Sequence, residues 1–217
     1  MLIMNSGFWT ANHTAGIILM LTILFAPGVA LYMRVKDKGG PGIFGQPPRE
    51  WLRLIHEHPR PWRWATLSFV GAMLVTLFGL TLLACLLRTA GDPGFANVGL
   101  VAFAVGAVLW ITHLAARLTV DPWAGEELAT TGEIPGTYAP LRVWNGALFA
   151  TFSYLTFAGV LLFGAAILAT PLLPHWLGWI TVIYSAGGLA IHTITRDSLP
   201  IMHHLMPFLI GVVLLLS

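Results

Sequence analysis

Six stretches of the chain carry no Asp, Glu, Lys or Arg and are apolar almost throughout: about 8–33, 64–87, 95–116, 143–168, 176–193 and 199–216. Each is near the roughly 20 residues that a helix needs to cross a hydrocarbon core. Backbone N–H and C=O groups inside hydrocarbon must be paired within their own segment, so each stretch is predicted to be helical. Ten-residue segments of alternating polarity, the pattern of a membrane barrel, do not occur. The expected fold is all-α: a polytopic membrane protein built as a six-transmembrane-helix bundle.

Between the apolar stretches the basic residues fall on one side. Arg34, Lys36, Lys38, Arg49, Arg53, Arg60 and Arg63 separate the first two stretches. Arg117 and Arg142 flank a loop on the same side, and Arg196 lies in the last one; Arg88 alone is opposite. The positive-inside rule makes the basic side cytoplasmic and puts both termini outside, in an inner membrane of bacterial type. Residues 1–10 lack a basic leader and 15–33 is long enough to span, so a retained first helix is expected rather than a signal peptide. Pro27 removes the partner of the Ile23 carbonyl and is predicted to kink that helix.

The first loop has internal order. Lys38–Gly42 is turn-prone. Arg49–Glu57 (REWLRLIHE) puts Trp51, Leu52 and Ile55 on one side of a short amphipathic helix, read as interfacial with Trp51 at headgroup depth. A plain solvated loop is the alternative. Pro59 and Pro61 end the helix, and Trp62 and Trp64 are expected to form an aromatic belt, with His56 and His58 at headgroup level. The loop at 121–140 is acidic (Asp121, Glu126, Glu127, Glu133) and is predicted to pair with the basic one, each exposed pair contributing about 0–1 kcal/mol. His113-Leu-Ala-Ala-Arg117 and His192-Thr-Ile-Thr-Arg196 both read as helix ends. They suggest that 64–117 and 143–196 are a duplicated hairpin.

Composition agrees with lipid as the main solvent. Of 217 residues, 57% are hydrophobic and 9% charged, against about 25% charged in soluble domains. A single integral membrane domain, 1–217, follows. Cys85 is the only cysteine, which excludes a disulfide framework and a thiolate metal site. A net charge of +2 without a dense basic patch gives no reason to expect nucleic acid.

Histidine is the candidate chemistry. His113, His192 and the His203/His204 pair lie within a turn or two of the same predicted membrane face. Neighbours on a helix point about 100° apart, so one of His203 and His204 is expected to face a common centre. His203 is favoured, because Pro207 loosens the turn that follows it. Two imidazoles from facing helices suit haem b, with Gly187 and Gly188 leaving room for the macrocycle. Three imidazoles with Asp197 or Glu126 suit a divalent metal. The plainer alternative is interfacial histidines bonded to backbone or water. Neither HExxH nor CxxCH is present. No acid or base lies in mid-membrane, against an ion-coupled transporter, and no lysine is placed for a retinal Schiff base. Asn12, Asn145, Ser153, Tyr154, Tyr184 and Ser185 either line a polar pocket or bridge helices.

The segment LPHWLGWITVIYSAGGL at 173–189 resembles a pattern in bacterial six-helix membrane proteins of unknown function, through Leu173, Pro174, Leu177, Gly178, Trp179 and Gly187. The resemblance implies the helix count and carries no activity. The expected function is a non-catalytic membrane component, a scaffold or accessory subunit packed against lipid and other membrane subunits. The alternative is a haem-b or metal-bearing redox protein using His113, His192 and His203. A lipid or small-molecule binder is the third class.

Overall fold

Every regular element among the described residues is helical. The computed structural model describes residues 5–36, 47–196 and 198–217, with side chains over 11–30, 47–196 and 198–217. Lys38–Gly42 and Asp197 lie outside them. The helices are α1 (Asn5–Met20), α2 (Phe25–Lys36), α3 (Pro48–Glu57), α4 (Pro59–Thr89), α5 (Phe95–Thr131), α6 (Tyr138–Ala169), α7 (His175–Thr195) and α8 (Met202–Leu216). A 3-10 turn at Leu21–Leu24 joins α1 to α2. It contains Ile23, the residue whose carbonyl Pro27 leaves without its helical donor.

Among the described residues, five helical runs are long and apolar enough to cross a membrane: Ala11–Ala30, Pro59–Thr89, Phe95–Thr131, Tyr138–Ala169 and His175–Thr195. The protein is therefore a helical membrane protein. The sixth apolar helix, α8, has 15 residues, or about 22 Å at 1.5 Å per residue, less than the roughly 30 Å of a hydrocarbon core.

The largest departure from the sequence pattern is α5. An end near Arg117 is predicted, yet the helix runs on to Thr131 with Pro122 inside it. Interior proline costs a helix about 3 kcal/mol. Packing offsets that cost: Ala124 shares a buried cluster with Leu52 and Tyr138, against which Val120, Leu128 and Ile134 also pack. The His113–Arg117 motif thus ends no helix, whereas α7 does stop at Arg196, whose φ is 54° and whose N–H bonds the His192 carbonyl. The two motifs are not equivalent helix ends.

The chain divides into two compact units. The first comprises Met1–Ile23, Ala72–Leu109 and Ala150–Ser217. Its core is α6, where Phe152, Phe157, Val160, Phe163, Ala166 and Ile167 are all buried. Three helix pairs meet glycine to glycine. A Cβ on Gly99 would stand 2.8 Å from the Gly159 carbonyl oxygen, one on Gly178 would stand 3.0 Å from that of Gly164, and one on Gly16 3.0 Å from that of Gly211. These contacts press α5 on α6, α6 on α7, and α1 on α8 at backbone distance, as membrane helices do where small residues face each other. On α5, Val98, Val101, Val105 and Val108 make an exposed stripe; on α7 the exposed side is Trp176, Trp179, Ile183 and Ile194. The turn before α5 is closed by Asp92, whose carboxylate accepts from the N–H groups of Phe95 and Ala96 at 3.2 and 2.9 Å, an N-terminal cap.

The second unit comprises Leu24–Gly71 and Trp110–Phe149. Here α3 buries Leu52, Leu54 and Ile55 and lies on the extended part of α5. The approach is close because Gly125 has no side chain: a Cβ there would stand 2.8 Å from the Leu52 carbonyl oxygen. The basic and acidic loops do meet. Arg49 donates to the Gly132 carbonyl at 2.6 Å, and His56 lies 3.3 Å from Glu126. Of the two belt tryptophans, Trp64 is 66% exposed but Trp62 only 2%. Trp62 is a core residue, held by its indole N–H on the Arg117 carbonyl at 2.8 Å.

Candidate functional site

In the second unit, Trp110, His113, Arg117 and Asp121 follow one another at helical spacing and share a face of α5. Tyr138, Arg142, Asn145 and Phe149 do the same on α6. The two faces meet with opposite sense. Tyr138 donates to Asp121 at 3.2 Å, His113 pairs with the Asn145 carbonyl at 3.1 Å, and Trp110 lies 5.8 Å from Phe149 between ring centroids. This is the register of an antiparallel hairpin, closed by the short connection after Thr131.

A cavity of about 190 Å³ opens along the hairpin and is completed by Trp51 of α3. Arg117 is only 7% exposed. Its guanidinium carbon sits 4.5 Å from the ring centre of Trp62 and 5.3 Å from that of Trp51, within cation–π range of both. Those two rings meet edge to face at 4.8 Å, which fixes the slot. One turn further on, buried Asp121 accepts from the Trp51 indole N–H at 3.4 Å as well as from Tyr138. His113 stacks on Trp110 at 5.1 Å and 9°. A carbonyl can only accept, so the His113 Nδ1 is the donor to Asn145. Arg142, Trp144 and Leu141 line the open side, where Trp144 is 49% exposed. The arrangement is an aromatic-walled pocket with two guanidiniums and one carboxylate.

The histidines of the first unit serve differently. His203 and His204 are both buried, at 1% and 3% exposure, and turn to different helices. His203 Nδ1 lies 2.8 Å from the Thr156 hydroxyl of α6; His204 Nδ1 lies 2.8 Å from the Thr76 hydroxyl of α4. The two neighbouring rings are thus both buried but point to different helices, not to one centre. His203 Nε2 is 3.4 Å from the Ser198 hydroxyl, which lies 3.1 Å from that of Ser153. Phe152 and Phe157 pack on the His203 ring at 4.5 and 4.3 Å. His192 is buried against Tyr154, edge to face at 4.8 Å.

His192 and His203 thus belong to one unit and His113 to the other. The room expected beside Gly188 is filled by the Phe157 ring, whose edge a Cβ on Gly188 would overlap, while Gly187 faces open space. Among the described residues, no group of three or more His, Cys, Asp or Glu side chains is disposed to hold a metal. Of the polar candidates, Asn145 lines the pocket, whereas Ser153 and Tyr184 bridge elements, Tyr184 donating to the Met202 carbonyl at 2.9 Å.

Asp121, Tyr138, Arg142 and Trp51 are pocket residues that the sequence pattern does not assign to a site. The available signal was Arg117 and Asp121 at i, i+4, which only counts if the helix continues past Pro122. Compared with known proteins, the chain matches no family model, no curated protein and no solved structure.

Proposed function

We propose that the protein is a non-catalytic component of the cytoplasmic membrane that binds a small ligand in the pocket around Arg117. Its five helical runs of spanning length cross the bilayer with the basic side inward, the shorter α8 adding a sixth crossing where the bilayer thins around it, and it acts as an accessory subunit or carrier rather than an enzyme. The observation that supports this most is the pocket itself. Two arginines, an aspartate, a tyrosine and a histidine converge on a cavity walled by tryptophan and phenylalanine, the usual make-up of a ligand site. In the crossing proposed, α3 lies at headgroup level beside it. The cation-rich loops support the orientation, and the exposed apolar stripes of α5 and α7 suit lipid or a neighbouring membrane subunit.

Gentle extraction followed by mass spectrometry of bound molecules, with a visible spectrum of the same sample, tests the reading. Gly146 lines the pocket and has nothing within 4 Å of its Cβ position, so Gly146→Leu adds apolar bulk at the pocket wall from a position where a Cβ is tolerated. The expected result is a molecule retained by the wild type and lost from Gly146→Leu. A wild-type protein that holds no molecule, or a Soret band lost on His192→Ala, would overturn the proposal.

A further inference from the structure

The pocket's charge and shape narrow the ligand, taking the ligand-binding reading above as given. We propose that it takes the oxyanion group of an amphiphile, a phosphate or carboxylate, with the ligand's apolar body leaving past Leu141 and Trp144.

Charge is the first reason. Among the lining residues Arg117 and Arg142 face a single carboxylate, Asp121, which leaves one net positive charge. That carboxylate is already accepting from Trp51 and Tyr138, which orient it within the wall. The second reason is the choice of arginine. A planar guanidinium presents paired donors that match the two oxygens of a carboxylate or phosphate. Arg117 is pre-set by the Trp51 and Trp62 rings, so little side-chain freedom remains to be lost on binding. Arg142 is exposed at the mouth, where an incoming anion meets it first.

Size is the third reason. About 190 Å³ is a little more than a 150 Å³ cavity that holds benzene. A headgroup-sized oxyanion fits; acyl chains do not and must remain outside. The exit suits them, since Leu141 and Trp144 are 37% and 49% exposed. Finally, His113 and Arg117 stand at the end of the apolar stretch of α5, and Arg142 and Asn145 at the start of that of α6. In the proposed crossing this is headgroup depth on the cytoplasmic side, where basic pockets between helices meet anionic headgroups.

The full-length protein in nanodiscs provides the test. One set is phosphatidylcholine alone and the other contains phosphatidylglycerol; the phosphatidylcholine set is also titrated with inorganic phosphate and with hexanoate. Bound lipid is counted by native mass spectrometry, and tryptophan emission is followed with Trp144→Phe as the control. Phosphatidylglycerol is expected to be retained and to shift the emission. Its binding should weaken about 10- to 100-fold in Arg142→Gln, the loss for a hydrogen bond to a charged group. Saturation by phosphate or hexanoate alone, lost in the same variant, supports the oxyanion and identifies a free anion as its source. A neutral molecule held equally by wild type and Arg142→Gln would overturn the oxyanion while leaving the pocket as a ligand site. If neither anions nor neutral lipid engage the pocket and no molecule co-purifies, both proposals fall.

Discussion

His203 Nδ1 and the Thr156 hydroxyl stand 2.8 Å apart, joining α8 to α6. The Thr156 hydroxyl has one proton and back-bonds to its own helix, at 2.8 Å from the Phe152 carbonyl and 3.3 Å from that of Ser153. With the hydroxyl proton given to the carbonyl, the ring nitrogen supplies the hydrogen, and we predict the Nδ1–H tautomer. His204 and Thr76 repeat the arrangement, with Thr76 bonded to the Ala72 carbonyl at 2.7 Å. Hydroxyls that back-bond to their own helix become acceptors, and here they lock two adjacent imidazoles of α8 to two different helices.

The first prediction follows from that lock. Thr156→Val leaves a buried N–H without an acceptor, at a cost of about 1–3 kcal/mol. This exceeds the roughly 0.6 kcal/mol of an average interhelical bond in a membrane. Adding His203→Leu removes the orphaned donor, while Ser198 keeps Ser153. The double variant is therefore expected to be more stable than Thr156→Val alone in mixed-micelle unfolding. Nitrogen-15 shifts of His203 should report the Nδ1–H tautomer in the wild type. Equal loss in single and double variants would contradict the assignment.

Adjacent glycines on α7 should behave oppositely. Gly188→Ala drives a Cβ into the Phe157 ring, whereas Gly187→Ala meets nothing within 4 Å. Overpacking costs about 1–3 kcal/mol, while alanine in a helix gains up to about 1 kcal/mol over glycine. Thermal unfolding in detergent should show Gly188→Ala destabilised and Gly187→Ala unchanged or better. Equal melting temperatures would refute the packing described.

Gly159→Ala should be still less tolerated, because its Cβ would stand 2.7 Å from the Gly99 carbonyl oxygen and 3.0 Å from the Phe103 backbone nitrogen. Backbone cannot rotate away as a side chain can. A melting temperature matching that of wild type would show that α5 and α6 are not in backbone contact.

On α3 the Arg53–Glu57 pair, 2.8 Å apart, is exposed. The hydrogen bond from Arg53 holds the Glu57 carboxyl below its ordinary value. A carboxyl held low adds stability above its unfolded-state value and loses it as pH falls through the folded value. Exposed pairs of this kind contribute little. Arg53→Ala should return Glu57 to the ordinary carboxylate range in an NMR titration and leave the melting temperature unchanged. A Glu57 titration that does not move in Arg53→Ala would remove Arg53 as the cause.

Docking of α3 gives the last prediction. Gly125→Val would push on the Leu52 carbonyl and should raise amide exchange over Pro48–Glu57. If exchange there stays at the wild-type level, α3 is held by something other than its contact with α5.

Hydropathy alone was enough to read the helices and the apolar character, because hydrocarbon leaves the backbone no alternative to internal hydrogen bonding. Pro27 likewise announced the break beside it, since a missing N–H acts locally. The end read at His113–Arg117 does not occur, and the helix runs on through Pro122. The proline's cost is offset by burial of Ala124 against Leu52 and Tyr138, residues far away in the chain. Helix rotation was equally invisible: in α5 and α6 apolar residues surround the axis, so no pattern says which face turns inward. Tertiary packing therefore decided that Trp62 is core, that His203 and His204 bind threonines on different helices, and that Arg117 lies in a slot of tryptophans. Local chemistry is written in the order of residues; which groups converge depends on contacts between segments that the order does not encode.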